Sequence, residues 1–230
     1  FYDAASGYKY NHLTLMGFSL THLSGTGIPD LGDFLFIPGT GEMKLEPGTH
    51  EDPDQGYRSR YSHDKEWASP NYYAVELADY GVKAEMTSGV RSGMFRFTYP
   101  ESDNAFIMID MNHTLWQSCE WSNLRMINDS TITGYKLVKG WGPERHVYFT
   151  ATFSKKLTGL RFVQDKKPVI YNTSRFRSSY EAWGKNLMAC ISFDTKAGEE
   201  VTVKTAISAV STDGARTVSY THLTLPTNSL

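Results

Sequence analysis

From residue 72 onward the chain is a succession of short strand-like segments, several of which alternate apolar and polar residues with a period of two. The segments 72–77, 82–87, 93–99, 105–111, 131–138, 146–153, 159–164, 187–193 and 200–209 follow one another at roughly 10–15-residue spacing. A period of two sends successive side chains to opposite faces of a strand, so each segment can bury one face and solvate the other. No ten-residue amphipathic pattern interrupts the series. Strands without crossover helices pair antiparallel and bury their apolar faces against a second sheet. The expected fold class is therefore all-β, a large antiparallel β-sandwich, and one domain is the simplest count.

Composition narrows the partners. The 230 residues carry 23 Lys and Arg against 25 Asp and Glu, a formal net charge of −2. That balance lacks the concentrated basic surface that phosphate-backbone binding needs, so no nucleic-acid partner is expected. No apolar run approaches the ~20 residues of a membrane-spanning helix, so no membrane span is expected. Two cysteines, Cys119 and Cys190, fit no zinc spacing and read as buried thiols. The aromatic content is high, with 14 Tyr, 12 Phe and 5 Trp. The tryptophans at 116, 121, 141 and 183 read as plugs of the sandwich or its edges.

The first seventy residues differ, being rich in Gly and Pro and poor in period-two patterning. Long loops on a rigid β scaffold are where binding chemistry usually sits. The densest polar loop is Thr21-His22-Leu23-Ser24-Gly25-Thr26-Gly27. Its glycines permit close backbone approach, and its short hydroxyls and imidazole suit a polyol such as a sugar. The other reading is a turn whose Ser and Thr bond their own backbone, and composition alone favours it. Neither a phosphate loop nor a dinucleotide fingerprint is present. Two carboxylate pairs stand out, Asp30 with Asp33 and Asp52 with Asp54. The second fails the frame of a calcium loop, because His63 stands where the bidentate Glu belongs. No metal site, nucleophile elbow or opposed acid–base pair emerges.

In combination the motifs are more specific. Ser6-Gly7-Tyr8-x-Tyr10, then Gly17-Phe18-Ser19-x-Thr21-His22-Leu23-Ser24-Gly25-Thr26-Gly27, then Asp30-x-Gly32-Asp33 closely resemble the N-terminal domain of glycoside hydrolase family 92. The similarity continues through Ser62-His63-x-x-Glu66-x-Ala68-Ser69-Pro70-x-Tyr72-Tyr73, Arg96-Phe97-Thr98-Tyr99-Pro100, Tyr148-Phe149-x-Ala151-x-Phe153-Ser154 and Lys204-Thr205-Ala206-Ile207-Ser208. It covers residue 1 to about 215.

That family consists mainly of calcium-dependent, inverting, exo-acting α-mannosidases. The resemblance implies a galactose-mutarotase-like supersandwich followed by a helical (α/α)6 domain that carries the general acid, the general base and most calcium ligands. On this reading the chain holds no catalytic residue and no metal site. Its contribution to an interdomain pocket would come from Tyr2, His22, Ser24, Gly25, Thr26 and Gly27. The partners implied are mannose-containing glycans, with an α-1,2 linkage favoured, and the helical domain of the same protein. The compartment implied is bacterial periplasm or secretion. Leu20, Ile28 and Ala5 stand where the family often has His, Cys and Cys, which bears on linkage preference. Residues 1–215 are expected to form the N-terminally truncated sandwich domain. Residues 216–230, with Val218-Ser219-Tyr220-Thr221-His222-Leu223-Thr224-Leu225-Pro226-Thr227 resembling translated sequencing-adapter read-through, read as an artefactual or disordered tail. The alternative function is a stand-alone carbohydrate-binding β-sandwich without catalysis.

Overall fold

The computed structural model describes residues 7–23, 27–170 and 180–221. Its strands are β1 (Thr14–Leu15), β2 (Leu35–Thr40), β3 (Ser59–Arg60), β4 (Glu66–Ser69), β5 (Tyr72–Leu77), β6 (Val82–Ser88), β7 (Ser92–Tyr99) and β8 (Ser102–Asp110). They continue with β9 (Ser118–Asn128), β10 (Thr131–Lys139), β11 (Arg145–Phe153), β12 (Gly159–Gln164), β13 (Lys167–Pro168), β14 (Glu181–Gly184), β15 (Leu187–Thr195) and β16 (Glu199–Ser208). One helix, α1 (Thr212–Thr221), follows. A nine-stranded sheet runs in the order β14-β9-β10-β11-β16-β7-β6-β5-β4 and a five-stranded sheet in the order β13-β12-β15-β8-β2, with β1 and β3 paired apart. All pairings in the two large sheets are antiparallel.

The alternation read from the sequence fills the space between the sheets. Phe95, Phe97 and Tyr99 of β7, Val147, Phe149 and Ala151 of β11, and Ile107 and Ile109 of β8 meet in one continuous apolar core. Phe149 packs so tightly on β10 that a Cβ at Gly134 would lie 2.2 Å from its ring. On the outer face of the large sheet, Glu85 stands directly opposite Arg96 and accepts two hydrogen bonds from its guanidinium, at 2.8 and 2.9 Å.

The five-stranded sheet is buried on both faces. Its far side holds a second cluster of Leu35, Ile37, Phe106, Met108, Met188 and Cys190, with Tyr57, Met43 and Leu45 from the preceding loop packed over it. Double burial explains why Ala105 to Ile109 are apolar without a break. It also shows that much of the Gly- and Pro-rich segment serves as a cover for the small sheet. Both cysteines are free and buried.

Four features depart from expectation. Strand β9, eleven residues long, lies inside the large sheet, yet its pairing with β10 carries two register shifts that break the period of two. The tryptophans are not plugs, because Trp116, Trp121, Trp141 and Trp183 are all exposed. Phenylalanines fill the interior in their place. Pro38 lies within β2, which it can do because β2 is the edge strand of its sheet.

The fourth departure is α1. Ser211 caps it, its hydroxyl accepting a hydrogen bond from the Gly214 N–H at 2.9 Å, and Asp213 places an acid in the first turn. Ala215 is fully buried. Thr133, Thr150 and Ala206 stand side by side across β10, β11 and β16, and all three are buried. Residues 216–221 belong to this helix, and 222–230 lie outside the described residues.

Candidate functional site

A cleft of about 880 Å³ opens where the N-terminal segment meets the edge of the sandwich. Its walls include Tyr8, Tyr10, His12, His22, Tyr61 and His63. Of the site residues read from the sequence, His22 lines this cleft, exposed, and pairs with Leu31 through an antiparallel bridge. Gly27 is exposed with φ +72° and is not part of the cleft lining. Tyr2, Ser24, Gly25 and Thr26 lie outside the described residues.

The base of the loop that carries His22 is held by a buried charge network. Asp33 is fully buried, and Arg145 at the start of β11 grips its carboxylate with two hydrogen bonds, at 2.7 and 3.1 Å. The Thr21 hydroxyl donates to the same carboxylate at 2.8 Å and accepts from the Asp33 N–H at 3.0 Å. Lys136, also fully buried, sits 3.8 Å from Asp33 and donates to the His113 carbonyl. His113 Nδ1 in turn donates to the Gly32 carbonyl at 2.7 Å.

The electrostatics follow from this geometry. Burial by itself pushes Asp33 up, but the Arg145 hydrogen bonds, the charges of Lys136 and Arg145 and the Thr21 hydroxyl outweigh it, holding Asp33 below the usual carboxylate range. Burial draws Lys136 down, against the pull of Asp33. Asp33 is thus a structural anion with its oxygens occupied, and no candidate for proton transfer.

The backbone around Asp33 is forced into an uncommon shape. Leu31 (φ 71°) and Phe34 (φ 56°) are left-handed without being glycine, and Gly32 has φ +83°. A Cβ at Gly32 would meet Leu115 at 2.9 Å. Such strain persists where the surroundings over-determine the conformation, which here is the Asp33 network.

The opposite wall is built on Glu66. Tyr73 donates to this carboxylate at 2.6 Å, His63 Nδ1 lies 2.5 Å away, and Tyr8 donates at 3.3 Å. The other His63 nitrogen donates to the Tyr10 carbonyl at 2.7 Å, and the Tyr10 ring stacks on the imidazole at 4.1 Å. With an acceptor at each nitrogen, His63 is favoured as the imidazolium, its pKa raised chiefly by the Glu66 hydrogen bond. This cluster pins the N-terminal segment to the sandwich.

Asp52 and Asp54, the second carboxylate pair, are tied down. Arg60 holds Asp54 at 2.7 Å and Asp79 at 2.8 Å. Gln55 donates to Asp52 at 2.5 Å. Among the described residues, no three His, Cys, Asp or Glu side chains converge to hold a metal ion. Calcium takes six to eight oxygen ligands, and the described part of this chain does not assemble such a set. Among the described residues the cleft offers aromatic faces, imidazoles and hydroxyls around one lining carboxylate, Glu66. That suits holding a polyol and falls short of two-carboxylate hydrolysis.

Sequence reasoning missed Lys136, Arg145 and His113. The signal for Lys136 was available: in Ile132-Thr133-Gly134-Tyr135-Lys136-Leu137-Val138 it shares the inward phase of Ile132 and Val138.

Comparison with known proteins places this architecture. The chain is 98% identical over 96% of its length to the solved family GH92 alpha-mannosidase BT3965 from Bacteroides thetaiotaomicron, with a TM-score of 0.92, and covers 30% of that chain. A second structure of the same mannosidase, in complex with mannoimidazole, gives the same identity and TM-score. The family GH92 inverting mannosidase BT2199 from Bacteroides thetaiotaomicron shares the fold at 23% identity and a TM-score of 0.73, with 92% of this chain and 27% of that chain covered. No curated protein sequence matches the chain. The model of the glycosyl hydrolase family 92 N-terminal domain matches residues 2–208, and the chain belongs to that family.

Proposed function

We propose that this chain is the N-terminal domain of an inverting, exo-acting α-mannosidase that removes terminal mannose, α-1,2-linked, from N-glycans or mannans. The observation that carries this reading is the near-identity with a solved α-mannosidase along almost the whole chain. The chain spans about 30% of that protein's length, so the activity belongs to a longer polypeptide. The cleft beside His22 would form one wall of its substrate site, with Tyr2, Ser24, Gly25, Thr26 and Gly27 contributing on the same loops. An inverting glycosidase needs a general acid and a general base roughly 6.5–9.5 Å apart. The described lining of this cleft supplies one carboxylate, already held by Tyr73 and His63. The acid, the base and the oxygen ligands of a calcium ion would come from the remainder of the protein. A periplasmic or secreted location fits a glycan substrate.

The experiment compares the 230-residue chain with the polypeptide extended to the full length of its relatives, both assayed for mannose release from α-1,2-mannobiose with and without calcium. Release by the extended protein, lost on chelation, with none from the chain alone, is the expected result. Release by the chain alone would overturn the division of labour, and none from either would overturn the α-mannosidase reading.

A further inference from the structure

The cleft contains a second polar corner that the glycosidase reading does not use. Leu13 accepts a backbone hydrogen bond from Tyr61 while Thr14 pairs with Arg60, so the segments around β1 and β3 run antiparallel. From these segments the Thr14 hydroxyl and the Arg58 guanidinium both reach His50. The side chain of Arg58 lines the cleft although the residue is only 8% exposed. Its Nε is fully buried with no hydrogen-bond partner. Its one hydrogen bond among the described residues is a long contact of 3.5 Å, from Nη1 to His50 Nδ1. No carboxylate among the described residues comes within ion-pair distance of it; Glu51, exposed on the neighbouring loop, acts on it through its charge alone.

The imidazoles complete the corner. A guanidinium only donates, so His50 Nδ1 is an acceptor, and the Thr14 hydroxyl, 2.8 Å away, donates to it as well. The His50 proton is then on Nε2, on an exposed ring that lines the cleft. The His12 ring lies against it, with centroids 3.7 Å apart. Burial first and the charge of Arg58 second hold His50 below the usual histidine range. A buried guanidinium without an ion-pair partner is costly, and an oxyanion is what its planar fork of donors fits.

We propose that Arg58, with the imidazoles of His50 and His12, forms an oxyanion-binding site in this cleft that takes one carboxylate or phosphate group. The site is distinct from the Asp33 network and does not depend on the mannosidase reading. The anion has two possible sources: a free or substrate-borne group, or a carboxylate of the protein that extends beyond this chain.

The test is an NMR titration of the 230-residue chain with inorganic phosphate and, separately, with acetate, following the imidazole resonances. Saturable shifts are expected at His12 and His50 and not at His146, which is bonded to Tyr135 on the outer face. Arg58→Met should weaken phosphate binding by at least about tenfold, since it removes the charged donor group. His50→Ala, which leaves Arg58 in place, should weaken it less. An unresponsive wild-type chain, or Arg58→Met that is folded and binds as before, would overturn the proposal. The same titration on the extended polypeptide separates the sources. Binding retained there assigns the site to a free or substrate-borne anion, and binding lost there assigns it to a carboxylate of the protein itself.

Discussion

Two corners of one molecule hold buried cations under opposite conditions. At the base of the His22 loop, Lys136 and Arg145 share Asp33, and each polar atom of that carboxylate has a partner. Across the cleft, Arg58 is nearly as deeply buried and has one long contact to a neutral imidazole. The first corner is closed within the chain, and its work is to fix a strained loop. The second is open: among the described residues no carboxylate forms an ion pair with Arg58. Burial of a charge therefore does not by itself mark a binding site; a buried charge left without an ion-pair partner does.

The largest expected effect comes from opening the closed corner. Asp33→Ala leaves two cations without their anion and should cost about 3–5 kcal/mol of folding stability, the range for breaking a buried ion pair. Urea denaturation of the chain measures it. A loss below about 1 kcal/mol would mean that water reaches Lys136 and that the corner is not closed.

The sandwich interior sets the scale for this comparison, because there no charge is involved. Gly134→Ala places a Cβ 2.2 Å from the Phe149 ring and should cost about 1–3 kcal/mol through overpacking, read by the same denaturation series. The closed corner should exceed that cost although it adds no atoms.

These two regions were unequally legible in the sequence. The sandwich was readable because Phe95-Arg96-Phe97-Thr98-Tyr99 and its counterparts write burial directly as alternation. It was lost where geometry departs from the ideal strand, as at the two register shifts of β9. Helix α1 went unseen because Gly214, Thr217 and Val218 are poor helix formers, and its stability comes from packing against β16 and β11. His22 was found from the density of polar residues in its loop. Arg145 could not be found that way, since it meets Asp33 from a position 112 residues away.

Acid and base should act on different walls of the cleft. Asp33 has its folded pKa below its unfolded value near 3.9, so its stabilisation is present above about pH 4 and is lost as pH falls through the folded value. Asp33→Asn should flatten that acid limb. His63 has its folded pKa above its unfolded value near 6.5, so its stabilisation is present below about pH 6.5 and is lost as pH rises through the folded value. His63→Gln should flatten the limb above neutrality and leave the acid limb unchanged. Thermal melts of the three proteins from pH 3 to pH 9 check both signs.

The smallest expected effect is the one that separates the two corners most sharply. Arg58→Met keeps the unbranched aliphatic stem and removes a charge that has no ion-pair partner among the described residues. Replacing a buried charge by an apolar side chain of similar volume is often neutral or stabilising. In the absence of added anions the change should lie within about 1 kcal/mol of zero or on the stabilising side, against the large loss for Asp33→Ala. Adding phosphate should then stabilise the wild-type chain and leave Arg58→Met unmoved, because a ligand stabilises only the protein that binds it. A loss of several kcal/mol on Arg58→Met in anion-free buffer would show that Arg58 already has its partner within the chain, and the two corners would then be alike.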